Sequence, residues 1–455
     1  MAALVHLCYN SYFLMLTHNT TNTAQVKTGL RENISQFSLL VLVNAFVGGM
    51  VGMERSLLPQ IADADFHIAA KTAILSFIVV FGVVKAATNY FTGALADKFG
   101  RRNLLIAGWL FAVPVPFILM WAGSWNWILV ANVLLGINQG LAWSSTVVMK
   151  IDLVGDKDRG FAMGLNEFAG YLSVALVALA TGVAAANYGL RPYPFYIGIA
   201  LVVAGLLTSW LFIKDTAGHV AAAAGISNLP RLKNVFLATT FTNRNLSTVT
   251  QAGLVNNLND GMAWGLFPVF LAARGFSIAQ IAVVTAVYPA VWGFGQLVTG
   301  RMSDKFCKKS MLFWGMLLQA LALLMFPFAG TMAHFIGLAV IMGWGTAMVY
   351  PTFLATIAEN THPLDRAKSM GVFRLWRDLG YAIGAVLTGI IADMAGNEEA
   401  IIFIGALTML SSLVIDRRMS CRTNAPKLTE IFSGNRRKQV ENEEVYNPCR
   451  IAKVA

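Results

Sequence analysis

Apolar runs of about 20 residues, the length a helix needs to cross a ~30 Å hydrocarbon core, recur along this chain between short polar stretches. Twelve can be counted. The first six centre near Val47, Gly82, Ala112, Gly136, Leu176 and Val203. The second six centre near Met262, Trp292, Leu318, Met342, Ala385 and Ala406. The expectation is an all-α polytopic membrane protein with twelve transmembrane helices, since a helix satisfies its own backbone in lipid.

The pattern repeats itself once. Gly93-Ala94-Leu95-Ala96-Asp97-Lys98-Phe99-Gly100-Arg101-Arg102 has a second copy in Gly300-Arg301-Met302-Ser303-Asp304-Lys305-Phe306-Cys307-Lys308-Lys309. Asp97 and Asp304 stand 207 residues apart (304 − 97 = 207), and the same offset relates Gly136 to Gly343, Arg159 to Arg366 and Met163-Gly164 to Met370-Gly371. A membrane chain built from one duplicated half, with the same loop at the same place in each, reads as two pseudo-symmetric six-helix bundles of a secondary transporter. The predicted division is an N-terminal cytoplasmic extension over 1–33, bundles over 34–213 and 246–416, a cytoplasmic connector over 214–245 and a polar tail over 417–455. Residues Met1 to Leu16 lack a basic leader and read as part of the extension, not as a signal peptide.

Charge settles orientation more than partner class. The net charge of +11 could suit nucleic acid, but the basic residues alternate between loops. Only Lys71, Arg191 and Arg274 fall on one side, four basic residues (Arg55, Lys85, Arg374, Arg377) lie within helices, and the rest, Lys150 among them, are assigned to the other side. The positive-inside rule then places both termini in the cytoplasm of a multi-pass plasma (inner) membrane protein, with the lipid bilayer as partner and no nucleic acid. Cys307, Cys421 and Cys449 fall on the same face, where thiols are expected to stay reduced.

The loop motif resembles the signature of the major facilitator superfamily, Gly-x-Leu-x-Asp-Lys/Arg-x-Gly-Arg-Arg, and the likeness runs from about Ser35 to Ile415. It is nearest the drug/proton-antiporter branch. The resemblance implies a substrate site between the bundles near the midplane, reached alternately from each side. It also implies a conformational latch formed by Gly93, Asp97, Lys98, Gly100, Arg101 and Arg102, with a weaker second copy in Gly300, Asp304 and Lys305, where Cys307 replaces the glycine. In the family the motif carboxylate meets the positive N-terminal end of helix eleven, here near Lys368-Ser369. Two branch features are missing. Gly136 stands where drug exporters often carry an arginine, and helix five, Gly164 to Tyr171, has no proline kink.

Charges inside the spans are costly and mark functional positions. Glu54 and Arg55 suggest an outer gate. Glu167, Asp260, Arg374 and Asp378 are expected in proton or ion coupling. Lys85, Trp143, Asn166, Tyr350 and Arg377 are expected to line the substrate cavity. Arg374 and Asp378 are one turn apart, so they either pair with each other or leave the arginines free to hold an anionic group. Glu167 and Arg374 are counterparts at the repeat offset and could instead bridge the two bundles. Four acids and four bases leave the substrate's charge open. No Walker loop, catalytic constellation, metal-ligand spacing or cofactor motif occurs, so no enzyme is expected. The expected function is proton-coupled transport of a small organic solute by a monomer, with export favoured over proton symport. A non-transporting sensor or scaffold of the same fold is the alternative.

Overall fold

A computed structural model of the chain describes residues 27–421 except positions 56, 68–70, 156, 157, 226, 228 and 277. Most of the expected extension and tail therefore lies outside the described residues, as do Cys8, Cys449 and the side chain of Arg55. Twelve long helices are described. The first half holds α1 (Ile34–Arg55), α2 (Lys71–Phe99), α3 (Arg101–Trp121), α4 (Trp125–Val154), α5 (Arg159–Tyr188) and α6 (Tyr196–Leu211). The second holds α7 (Arg244–Ala273), α8 (Ile278–Lys305), α9 (Lys308–Met325), α10 (Met332–Glu359), α11 (Pro363–Met394) and α12 (Asn397–Arg418). Short helices, among them Ala217–Gly225, occupy the connector.

Ten of the twelve are long and apolar enough to cross a membrane by length and composition. The two that fall short, α7 and α8, carry their polarity inward. On α7, Asn256, Asn257, Asn259 and Asp260 are all fully buried. An inward polar stripe costs nothing against lipid and supplies hydrogen bonds inside the bundle.

Lipid gives helices no hydrophobic reason to associate, so close backbone approach has to be designed in with small residues. It occurs within each half, as at Gly52 against Val174 and Gly380 against Leu254, and again where the halves meet. A Cβ added at Gly93 on α2 would stand 2.4 Å from the Ala367 carbonyl of α11, and one at Gly164 on α5 would stand 2.4 Å from the Gln296 carbonyl of α8. Gly371 and Gly300 return the same contacts from the other half, against Asn89 and Gly160. The bundles thus lock along α2–α11 and α5–α8, on the side that carries both copies of the loop motif.

One expectation is overturned on that side. Cys307 and Cys421 are not free thiols but a disulfide that ties the α8–α9 turn to the chain just past α12. Their Cα atoms lie 5.6 Å apart despite a sequence separation of 114, well within bonding reach. Nothing in the linear sequence brings them together.

Because the obstacle at Gly164 is backbone, Gly164→Ala should prise α5 from α8. With Ser303→Cys as a reporter and Cys8, Cys307, Cys421 and Cys449 replaced by Ser, maleimide labelling should rise several-fold in the Gly164→Ala variant. Unchanged labelling would mean the α5–α8 contact does not close this side.

Candidate functional site

The motif residues sit at the α2–α3 and α8–α9 turns. Gly100 takes φ +79°, the left-handed region open to glycine, and so turns the chain directly from α2 into α3. Cys307, its counterpart, adopts φ −58° and ψ 122°. The second turn therefore needs no glycine, and the replacement is a different turn, not a damaged one. Arg101 runs inward to Asp152 at the end of α4, at 2.8 Å. Asp152 also accepts from Thr216 and faces Arg366 of α11 at 3.6 Å. The repeat preserves this arrangement: Lys308 pairs with Glu359 at the end of α10, at 3.0 Å.

The two motif aspartates are held differently. Asp304 accepts from the backbone N–H groups of Gly160 and Phe161 at 2.6 and 2.8 Å, in the first turn of α5. Asp97 does not meet the N-terminus of α11 in this way; it pairs with the Lys368 side chain at 2.9 Å. The cause is helix length. Gly160 and Phe161 follow the α5 start at Arg159, where N–H groups have no intrahelical partner. The equivalent residues Ala367 and Lys368 lie more than a turn beyond the α11 start at Pro363, so their N–H groups are spent within the helix. Lys98 and Lys305 are exposed. Arg102 donates to the Trp210 carbonyl at 2.5 Å, and its own N–H donates to Asp215 at 2.9 Å.

Between the bundles, buried polar groups form a circuit. Arg374 of α11 donates to Ser144 of α4 at 3.1 Å, and Ser144 donates to Asn89 of α2. Asn89 donates to Asp378 at 2.5 Å, and Asp378 accepts from Arg377 at 2.7 Å. Two of these bonds cross from one half to the other. Asp378 is therefore satisfied by Arg377 and Asn89, not by Arg374 one turn away. Glu167 is bonded within its own half, to Asn166 at 2.7 Å and Trp143 at 3.4 Å. It feels Arg374 electrostatically without pairing to it, so the expected Glu167–Arg374 bridge is absent from this conformation.

Ser144 owes its position to a break in α4, whose residues Gln139–Trp143 form a π-helical turn, a local widening often found at functional sites. Gln139 there donates to the Val47 carbonyl of α1 at 2.7 Å. Pro351 occupies the counterpart of Ser144 on α10. Each half thus interrupts the same helix at the same place by a different device.

Beside the circuit lies a cavity of about 50 Å³ walled by Phe81, Lys85, Trp143, Tyr171, Asp378 and Tyr381 among others. It has room for a few waters, and a drug-sized solute needs several times more space. On its C-terminal flank Asp260 is ringed by phenols: Tyr288 donates to it, with Tyr381 at 3.4 Å and Tyr350 at 3.5 Å. At the repeat offset these tyrosines correspond to Phe81, Val174 and Trp143. The N-terminal half thus offers an apolar wall where the C-terminal half offers a caged carboxylate.

The sequence profile described as Major Facilitator Superfamily matches residues 40–248 and again 249–431. The chain belongs to the major facilitator superfamily. Among curated members, the multidrug resistance protein MdtG of Salmonella arizonae is 22% identical over 352 residues, covering 74% of this chain and 83% of that protein. The proton-coupled antiporter flippase LtaA of Staphylococcus haemolyticus is 23% identical over 391 residues, covering 84% of this chain and 93% of that protein. The fold is also that of solved superfamily transporters. The human organic anion transporter MFSD10 superposes with a TM-score of 0.70 at 16% identity, over 84% of this chain and 99% of that one. The transporter FucP in its outward conformation superposes with a TM-score of 0.69 at 15% identity, over 84% and 98% of the two chains.

Within this superfamily fold, the residues singled out in the sequence fall in four places. Gly93, Asp97, Gly100, Arg101, Arg102, Gly300 and Asp304 lie at the motif-side contacts. Lys85 and Trp143 line the cavity, with Lys85 over the Phe81 and Trp143 rings. Asn166, Tyr350 and Arg377 do not line it; they are buried behind it, with Arg377 packed over the Tyr350 ring. Glu54 is buried at the end of α1 away from the motif side. Sequence reasoning missed Asn89, Ser144, Tyr171, Tyr288 and Tyr381, which carry no charge, and placed Lys150 in a loop. Lys150 is instead fully buried in α4, with its ammonium on the Leu40 carbonyl at 3.1 Å.

The two motif carboxylates should differ on substitution. Asp304 makes two charge-assisted bonds to backbone, each worth roughly 1.5–3 kcal/mol, whereas the half-exposed Asp97–Lys368 pair is worth ~0–1 kcal/mol. Asp304→Asn should therefore lower the melting temperature of the purified protein more than Asp97→Asn. The reverse order would show that helix-end capping is not the stronger contact.

Proposed function

We propose that this superfamily member is a secondary active transporter that exports a small organic solute by alternating access in exchange for protons. The observation that carries the reading is the placement of ion pairs. On the motif side they join the halves, through Asp97–Lys368 and Asp152–Arg366, and Asp304 adds hydrogen bonds from the α5 backbone. On the opposite side, among the described residues, the ion pairs Arg191–Asp65 at 2.6 Å and Arg274–Glu398 at 2.5 Å each lie within one half. A protein locked on one side and unlocked on the other is in one of the two states that alternating access requires. With the motif side taken as cytoplasmic, as the basic loops argue, both termini are cytoplasmic and this state faces outward.

The rocking units are the two bundles, and one chain supplies a complete pathway, so a monomer suffices. Export and proton coupling draw support from the likeness to the multidrug resistance protein MdtG and the proton-coupled antiporter flippase LtaA, and from the acids within the bundles. Glu167 and Asp260 are the proton carriers in this reading, because each is buried and, among the described residues, neither forms a direct ion pair to a basic side chain. Glu167 is placed first, since it sits in the field of Arg374, Arg377 and Lys150. Loading or unloading it alters the charge balance at the bundle interface.

Glu167→Gln keeps the volume and removes the titration. In proteoliposomes, solute accumulation driven by a pH gradient should fall about tenfold or more, the effect of ~1.4 kcal/mol of lost coupling. Exchange of labelled for unlabelled solute should persist. Full gradient-driven accumulation would remove Glu167 from the coupling and leave Asp260, with Asp260→Asn as the corresponding variant.

A further inference from the structure

We propose that Gln296 of α8 is the cross-bundle partner of Glu167: during the cycle the carboxyl group leaves Asn166 and Trp143 and bonds the Gln296 amide. Gln296 is then a positioning residue for proton coupling. The proposal rests on the reading of Glu167 as a proton carrier and adds the residue through which the other half senses the proton. Gln296 stands out by its orphaned amide. It is fully buried, and among the described residues neither its Nε2 nor its Oε1 has a hydrogen bond. A buried amide without partners is costly, and a second arrangement that satisfies it accounts for its presence. α8 carries no charged residue from Ile278 to Gly300, so Gln296 meets Glu167 without stranding a charge of its own.

Three contacts bracket the pair. A Cβ at Gly164 of α5 would stand 2.4 Å from the Gln296 carbonyl. The Phe168 and Phe294 rings lie 5.5 Å apart, and the Tyr171 and Trp292 rings 4.2 Å apart. Positions 164, 167, 168 and 171 share one helix face, so Glu167 lies on the stripe that α5 turns toward α8. The two side chains lean toward each other. A Cα–Cβ bond tilts toward the N-terminus of its helix. Because α5 starts on the motif side and α8 ends there, Glu167 leans toward the motif side and Gln296 away from it. The repeat makes the same kind of contact in its other seam. The counterpart of Gln296 is Asn89 (296 − 207 = 89), whose amide donates to Asp378 of α11 across the halves at 2.5 Å. On α5 the acid stands one turn nearer the motif side than the counterpart of Asp378, and Gln and Glu each reach one methylene further than Asn and Asp.

The chemistry of the two stations differs. Asn166 and Trp143 both donate to one oxygen, Oε1 of Glu167, which suits a carboxylate. A protonated acid also needs an acceptor, and the Gln296 amide offers a donor and an acceptor side by side. Around Glu167, α4 brings Lys150, α11 brings Arg374 and Arg377, and Tyr171 lies one turn along α5. The neutral partner from α8 therefore suits the neutral acid. A proton on Glu167 then alters a contact between the halves, as coupling requires.

Cross-linking tests the contact. With Cys8, Cys307, Cys421 and Cys449 replaced by Ser, Glu167→Cys combined with Gln296→Cys should form a disulfide under copper phenanthroline. Glu167→Cys combined with Val298→Cys should not, because Val298 is exposed two residues round α8. Infrared spectra of the full-length chain in lipid test the bond. Acidification should bring up a protonated-carboxyl band that Glu167→Gln removes. Gln296→Met keeps the volume and should move that band to higher frequency, the sign of a lost hydrogen bond to the acid. Gln296→Asn, which retains an amide, should move it less. A packing role for Gln296 would leave the band in place. An unmoved band in Gln296→Met, or a Gln296→Cys pair that cross-links no better than the Val298→Cys pair, overturns the proposal. If Glu167→Gln removes no band, the proposal and the carrier reading fall together. If the band moves and the cross-link forms while Glu167→Gln sustains full gradient-driven accumulation, the contact stands and the carrier reading alone falls.

Discussion

Charges buried between two halves of a membrane protein must find partners in one half or the other, and the rest of this structure follows from how they do so. Hydrocarbon offers an arginine or carboxylate nothing. Arg374 and Asp378 on α11 are held by Ser144 and Asn89 on α4 and α2, across the one surface that alternating access has to open. Neutral partners suit that surface. A direct ion pair across it would strand two full charges when broken, whereas Ser144 and Asn89 are neutral on separation. Of the charged pairs that cross, Asp97–Lys368 is more than a third exposed, so water can replace the partner, and the buried Asp152 keeps Arg101 of its own half when Arg366 leaves.

The internal repeat shows which parts of that arrangement are architecture and which are specialisation. Both halves use a basic residue at the start of a helix to hold an acid at the end of the fourth helix of its bundle, Arg101 with Asp152 and Lys308 with Glu359. Both interrupt that fourth helix at one position. The halves diverge at the centre. Asp260 and its three tyrosines face an N-terminal half that presents Phe81, Trp143 and Val174. The duplicated frame is shared by both halves, and the chemistry that departs from the repeat lies at its centre.

Much of the frame was legible in the sequence, because helix length, loop charge and the 207-residue offset are local or periodic signals. So was the position of most charged residues, since a charge in an apolar run announces itself. Contacts were harder. Asp97 was expected on a helix terminus, but the α11 start lies upstream of the motif's reach, and one turn of added helix is invisible without the fold. Lys150 reads as a loop cation because a span of about 20 residues centred near Gly136 ends before it. Its burial depends on the Leu40 carbonyl arriving from another helix. The tyrosines around Asp260 lie 28, 90 and 121 residues from it, and neutral hydroxyls in a chain rich in aromatics give no signal of their own.

The central claim is that the cross-bundle contacts on the motif side break as contacts on the opposite side form. Spin-label distances test it directly, with one pair at Phe99 and Leu364 on the motif side and another at Tyr188 and Met394 at the far ends of α5 and α11. In lipid nanodiscs, as pH and solute are varied, the account predicts distance distributions that shift in opposite directions, the first pair separating as the second closes. Two pairs that move together, or that stay fixed while the same protein sustains flux, would contradict it.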